Sequence, residues 1–287
     1  MRKEKPSSEY YQETIFLNES EKEYIMMSDG QEIYCMHTMN DKSKSDMVFI
    51  FMQGFANLYF TWNDFWDAIH EKFRLVVIDP RDKTSNKLKK TSECTVKRIV
   101  LDIVETVKHL NIDESKLVFY GSSIGASYIS HAVAQELIKP KICFFTGPAR
   151  EPRAPKKLLK FFFLFPRFIM NSVGKLVARL YLRNKVSEGF QQYVFYNRIR
   201  GVDPSRWKQC RKMYDWNATE DFKKLKVPVY IVRTPEDKYH ISYEAEIVQD
   251  LIEGSVIIDV PSYDYCHTKP GVNDLVQTLD KIILEEK

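Results

Sequence analysis

Short, continuous apolar runs alternate with amphipathic stretches through most of the chain. MVFIFM (47–52), RLVVID (74–79), KLVFY (116–120), KICFF (141–145), VPVYIVRT (227–234) and SVIIDV (255–260) are brief and rich in β-branched or aromatic residues. Runs of this kind predict strands buried on both faces, as in a parallel sheet. Between them lie helical patterns. In the clearest, Val96, Ile99, Val100, Ile103, Val104, Val107 and Leu110 recur at i, i+3, i+4, i+7, i+8, i+11 and i+14 and place one apolar stripe along a helix. WNDFWDAIHEKF, ASYISHAVAQEL, SYEAEIVQDLI and GVNDLVQTLDKIILEE read as further helices. Upstream, YIMMSDGQEIYCMHTM holds two β-prone stretches about Asp29-Gly30 and predicts an antiparallel hairpin.

Strands alternating with helices at this spacing predict a doubly wound α/β sheet. The alternation stops near Gly147-Pro148 and resumes at residue 227. Residues 150–222 keep helical periodicity without a strong strand, and predict a helical cap over the carboxyl ends of the strands, where ligands of open α/β sheets bind. The expected layout is a polar amino-terminal extension over 1–23, a core over 24–149 and 223–287, and the cap over 150–222. No internal repeat interrupts it.

Composition narrows the class. The chain has 287 residues with 18 Phe, 16 Tyr and 4 Trp, ample for a large core, and a net charge of only +4. That charge gives no reason to expect a nucleic-acid partner. Five scattered cysteines (Cys35, Cys94, Cys143, Cys210, Cys266) form no C-x-x-C pair, and read as free thiols of a reducing compartment. The amino terminus, MRKEKPSSEYYQET, lacks an apolar stretch and predicts no signal peptide. The expectation is a cytoplasmic protein.

Only 10 glycines are present, and two of them flank a serine in Gly121-x-Ser123-x-Gly125. The β-prone KLVFY precedes this motif and a helical run follows it. A serine at a tight strand-to-helix turn is presented as an exposed nucleophile. Its hydroxyl needs a neighbouring base, itself oriented by a third group. Of six histidines, His267 follows the last strand by a short loop and suits the base, with His240 as second choice. Asp237, just beyond the strand 227–234, suits the orienting carboxylate, and its neighbour Glu236 competes. Two backbone N–H groups are expected to hold the oxyanion: Ile124, after the nucleophile, and Phe55, after Gln53-Gly54 at the exit of an earlier strand.

These features resemble the α/β-hydrolase superfamily, in its serine esterase, lipase and thioesterase branch, from about residue 24 onward. The resemblance rests on Gly54, Asp79-x-Arg81, Gly121-x-Ser123-x-Gly125, Leu225…Pro228 before Asp237, and His267. It implies an eight-stranded, mostly parallel sheet, antiparallel at its second strand, with a helical cap after the sixth. Two positions depart from the family pattern. Gln53 stands where the family often has histidine, and the entrance loop reads Asp79-Pro80-Arg81-Asp82-Lys83-Thr84 instead of continuing with glycines and a serine.

Between Arg150 and Lys185 ten Lys or Arg residues face one acid, Glu151, with many phenylalanines and leucines interleaved. An apolar cap over Ser123 suits a medium or long acyl chain, and its basic stretch, 153–183, suits an anionic membrane surface. The functional expectation is a serine hydrolase of lipophilic, monoacyl-lipid-like esters that needs no metal or cofactor. An acyl-thioesterase and a non-catalytic lipid-binding protein on the same scaffold are the alternatives.

Overall fold

The hairpin about Asp29-Gly30 opens the sheet. Strands β1 (Glu21–Met26) and β2 (Glu32–His37) pair antiparallel, and Gly30 takes the left-handed φ of +73° that the turn demands. The computed structural model describes residues 14–55, 57–152, 161, 163–166, 169–170, 173, 176, 180, 190–201, 203–234 and 242–286. Six more strands follow: β3 (Ser45–Met52), β4 (Phe73–Ile78), β5 (Leu117–Ser122), β6 (Ile142–Thr146), β7 (Val229–Arg233) and β8 (Val256–Asp259). They join in the order β1-β2-β4-β3-β5-β6-β7-β8. Only β2 runs against its neighbours; every other pair is parallel.

Side chains of the central strands alternate between two cores, as the two-residue period of a strand requires. Val48, Ile50 and Met52 of β3 join Leu117 and Phe119 of β5 in one core. Phe49 and Phe51 join Val118 and Tyr120 in the other. Helices α1 (Ile15–Glu19), α2 (Asn63–His70), α3 (Val96–His109) and α4 (Ile124–Ala134) precede the cap. Within residues 150–222 lie α5 (Phe190–Gly201), α6 (Pro204–Gln209) and α7 (Thr219–Phe222), with no strand among the described residues; α8 (Ser242–Leu251) and α9 (Gly271–Glu285) complete the chain. The apolar stripe of α3 packs with α4 and α8 on the first face, whereas α2 and α9 cover the second. No helix among the described residues is long and apolar enough to cross a membrane.

Two expectations need correction. Residues 14–23, expected within the polar extension over 1–23, belong to the fold. Phe16 is fully buried, with its ring 5.8 Å from that of Trp66, and the Asp67 carboxylate accepts the N–H groups of Ile15 (3.2 Å) and Phe16 (2.8 Å). The cysteines are also not all free. Cys94 and Cys210, 116 residues apart, form a disulfide between the segment leading into α3 and the end of α6. Cys35, Cys143 and Cys266 are buried and not disulfide-bonded, and burial raises the first two well above the usual thiol range.

The chain crosses from β3 to β4 on one side and then returns to place β5 on the other. The carboxyl ends of β3 and β5 therefore flank the switch point of the sheet, where such folds leave a crevice.

Candidate active site

Ser123 occupies the single residue between β5 and α4, with φ +54° and ψ −123°. A non-glycine residue rarely holds such a φ, and its surroundings must enforce it. Its backbone N–H donates to the Thr146 carbonyl at 3.0 Å, and its carbonyl accepts from Ala126 (3.1 Å) and Ala149 (3.3 Å). The flanking glycines are needed for close approach. A Cβ on Gly125 would lie 2.2 Å from the Met52 carbonyl oxygen, and one on Gly121 would lie 2.8 Å from the Ala126 backbone.

The loop after β3 lies against this turn. A Cβ on Gly54 would come within 3.1 Å of the Ser123 Cβ. Ile124 starts α4, so its N–H has no partner within the helix and points from the helix's positive end. The half-buried Phe55 ring packs on Trp207 (5.5 Å) and Tyr214 (5.7 Å), joining this loop to the cap.

His267 is buried on the same edge. Its ring lies 3.9 Å from Tyr263 and 4.3 Å from Trp62, and Trp62 in turn packs on Phe51 of β3 and Tyr120 of β5. In sheet order β8 stands three strands from β5, roughly 14 Å away at the usual spacing. The segment after β8 must therefore double back over the strand tips to carry His267 there. Nδ1 of His267 lies 2.8 Å from the Tyr263 carbonyl oxygen. A carbonyl only accepts, which places a ring proton on Nδ1. The described histidines other than His267 pair elsewhere: His37 and His109 with Glu23, His70 with Glu19, and His131 with Asp221. Asp237, Glu236 and His240 lie outside the described residues. Thr234, at the end of β7, sits with its Oγ1 3.9 Å from the Cys266 Sγ, next to His267.

No protein-family model and no curated protein sequence matches the chain. Solved structures do. A thermophilic esterase from Thermogutta terrifontis superposes with a TM-score of 0.72 at 15% identity, over 93% of this chain and 98% of that one. An esterase from Exiguobacterium antarcticum gives 0.70 at 14% over 91% and 98%, and a bromoperoxidase from Bacillus anthracis 0.68 at 14% over 91% and 99%. The chain has the α/β-hydrolase fold.

Within the α/β-hydrolase fold the loop after β3 is held by Gln53, where a bracing amide was expected, and by Tyr59 and Lys83, which the sequence did not disclose. Fully buried Gln53 donates from Nε2 to Asp79 Oδ1 at 3.1 Å. Asp79 also accepts from the hydroxyls of Tyr59 and Ser85. Burial raises its carboxyl above the usual range, against the pull of the Lys83 ammonium and of those hydroxyls. The buried Lys83 ammonium reaches the carbonyl oxygens of Asn57 and, at 3.5 Å, Gly54. Two of the positions that depart from the family pattern, Gln53 and Lys83, thus brace the loop after β3. The Gln53–Asp79 pairing is the part that sequence could have signalled, since both residues end adjacent predicted strands.

Proposed function

We propose that the protein is a serine hydrolase that cleaves carboxylic esters of lipophilic, monoacyl-lipid-like substrates through an acyl-serine intermediate. The observation that carries this reading is the forced turn at Ser123, with Gly54 of the facing loop against its Cβ. Ser123 Oγ attacks the ester carbonyl while His267 Nε2 takes its proton. The Phe55 and Ile124 N–H groups receive the developing oxyanion. His267 returns the proton to the leaving alcohol, and water then releases the acid by the reverse sequence. Asp237 is assigned to stabilise the imidazolium.

Two aromatic clusters support an apolar acyl site. Phe163 and Tyr214 pack near Phe55, and Phe190 with Tyr193 and Phe60 pack near Tyr263 and His267. A series of p-nitrophenyl esters tests this. From acetyl to octanoyl, kcat/KM rises by up to about fourfold per methylene while each is buried. Equal rates along the series would contradict the lipophilic site, and no turnover of any ester would contradict hydrolysis. Matched thioesters in the same assay decide between esterase and thioesterase.

The cap also supports contact with an anionic membrane, because Phe161 (59%), Leu164 (78%) and Leu180 (63%) are strongly exposed amid the basic stretch. Pelleting with anionic vesicles at low salt, lost at high salt, is expected; negligible pelleting at low salt would contradict it.

A further inference from the structure

A groove of about 570 Å³ runs between residues 90–94, which lead into α3, and residues 208–212 at the end of α6. Lys90, Lys208, Arg211 and Lys212 line it against a single acid, Glu93, leaving a net charge of +3 from four cations and one anion. Glu93 already accepts a hydrogen bond from the Thr95 hydroxyl at 2.8 Å. Lys208 donates to the Phe165 carbonyl at 3.2 Å, while Lys90, Arg211 and Lys212 are exposed.

Like charges on separate surface segments ordinarily drift apart, because their repulsion is unopposed. Here the two walls are held together. The Cys94–Cys210 disulfide links them, Gln209 Nε2 donates to the Lys89 carbonyl at 2.8 Å, and Arg206 reaches the Asn86 carbonyl at 3.4 Å. The cations are thus preorganised around a concave space of ligand size.

We propose that this groove binds a phosphate-bearing anion. Three of the four cations are lysines, which act on phosphate as point charges, and the arginine adds a planar fork. Thr91, Ser92 and Gln209 supply neutral polar groups between them. No lining residue is aromatic, which disfavours a single-stranded nucleic acid that would stack its bases. The phosphate comes either from a small free anion or from the head group of the ester itself. The second source rests on the hydrolase reading. It is favoured by the wall's neighbours, since Trp207 and Tyr214 of the same segment pack on Phe55.

Calorimetric titration of the full chain with inorganic pyrophosphate at low salt tests the site without requiring turnover. Wild type binds, and the combined Lys90→Ala, Arg211→Ala and Lys212→Ala variant binds roughly 100-fold more weakly. All three residues are exposed, so circular dichroism stays unchanged. A control with Lys139→Ala, Lys224→Ala and Lys226→Ala, exposed cations elsewhere, keeps its affinity within about threefold. No binding to wild type, or equal losses in the two variants, overturns the proposal. A second arm compares hydrolysis of a monoacyl glycerol with that of the same acyl chain on glycerol phosphate. A fall confined to the phosphorylated ester in the groove variant identifies the head group as the source. Weakened pyrophosphate binding with both esters unaffected identifies a free anion, and either result upholds the site.

Discussion

Replacing Ser123 with alanine lowers kcat for ester hydrolysis by on the order of 10⁴–10⁶ while leaving the protein folded. The fold survives because the bonds that hold the turn come from the backbone: Ser123 N–H to Thr146, and Ala126 and Ala149 N–H to the Ser123 carbonyl. Alanine tolerates the positive φ no worse than serine, as both carry one Cβ. What disappears is the nucleophile, and without it the remaining N–H donors and His267 accelerate only direct attack by water. Steady-state turnover, with a thermal melt as the folding control, measures both parts. A kcat within about tenfold of wild type would remove Ser123 from the mechanism.

Arg81→Met is expected to destabilise the fold by about 3–5 kcal/mol. Arg81 is fully buried and meets Asp102 through Nε (2.6 Å) and Nη2 (2.8 Å), Asp29 through Nη1 (2.6 Å), and the Glu93 carbonyl at 2.8 Å. One side chain thereby ties the hairpin turn to α3 and to the segment before it. Methionine fills much of the space but leaves the nearly inaccessible Asp102 with Arg98 alone. Arg98 is already shared with Glu105, so removing the bidentate partner leaves the buried Asp102 charge only partly compensated, which is the expensive outcome. The exposed pair Lys72–Asp280 sets the contrast, since Lys72→Met should change stability by less than about 1 kcal/mol. Urea unfolding of both variants measures the difference. Equal midpoints would show that the buried network adds no more than a surface ion pair.

Much of the architecture was legible because burial on both faces writes a plain pattern. The runs at 47–52, 74–79 and 116–120 could not serve a half-exposed sheet, and each became a central strand. The motif at Ser123 was legible because steric exclusion at Gly121 and Gly125 restricts residue type locally. Helix α1 was not, since five residues are too few to show a period, and the helix depends on Asp67, some fifty residues away. The Cys94–Cys210 bond was hidden because it depends on where the cap's end returns to the core. Tyr59 and Lys83 were missed for a related reason. Side chains that satisfy a distant carboxylate or backbone carbonyl follow the tertiary path and leave no periodic trace.

The central claim is that Ser123 is an activated nucleophile served by His267. Labelling the purified protein with a fluorophosphonate probe and mapping the adduct by peptide mass spectrometry addresses it most directly. One adduct is expected, on Ser123, absent from Ser123→Ala and strongly slowed in His267→Ala. No labelling of the native protein, or an adduct that persists when Ser123 is alanine, would contradict it.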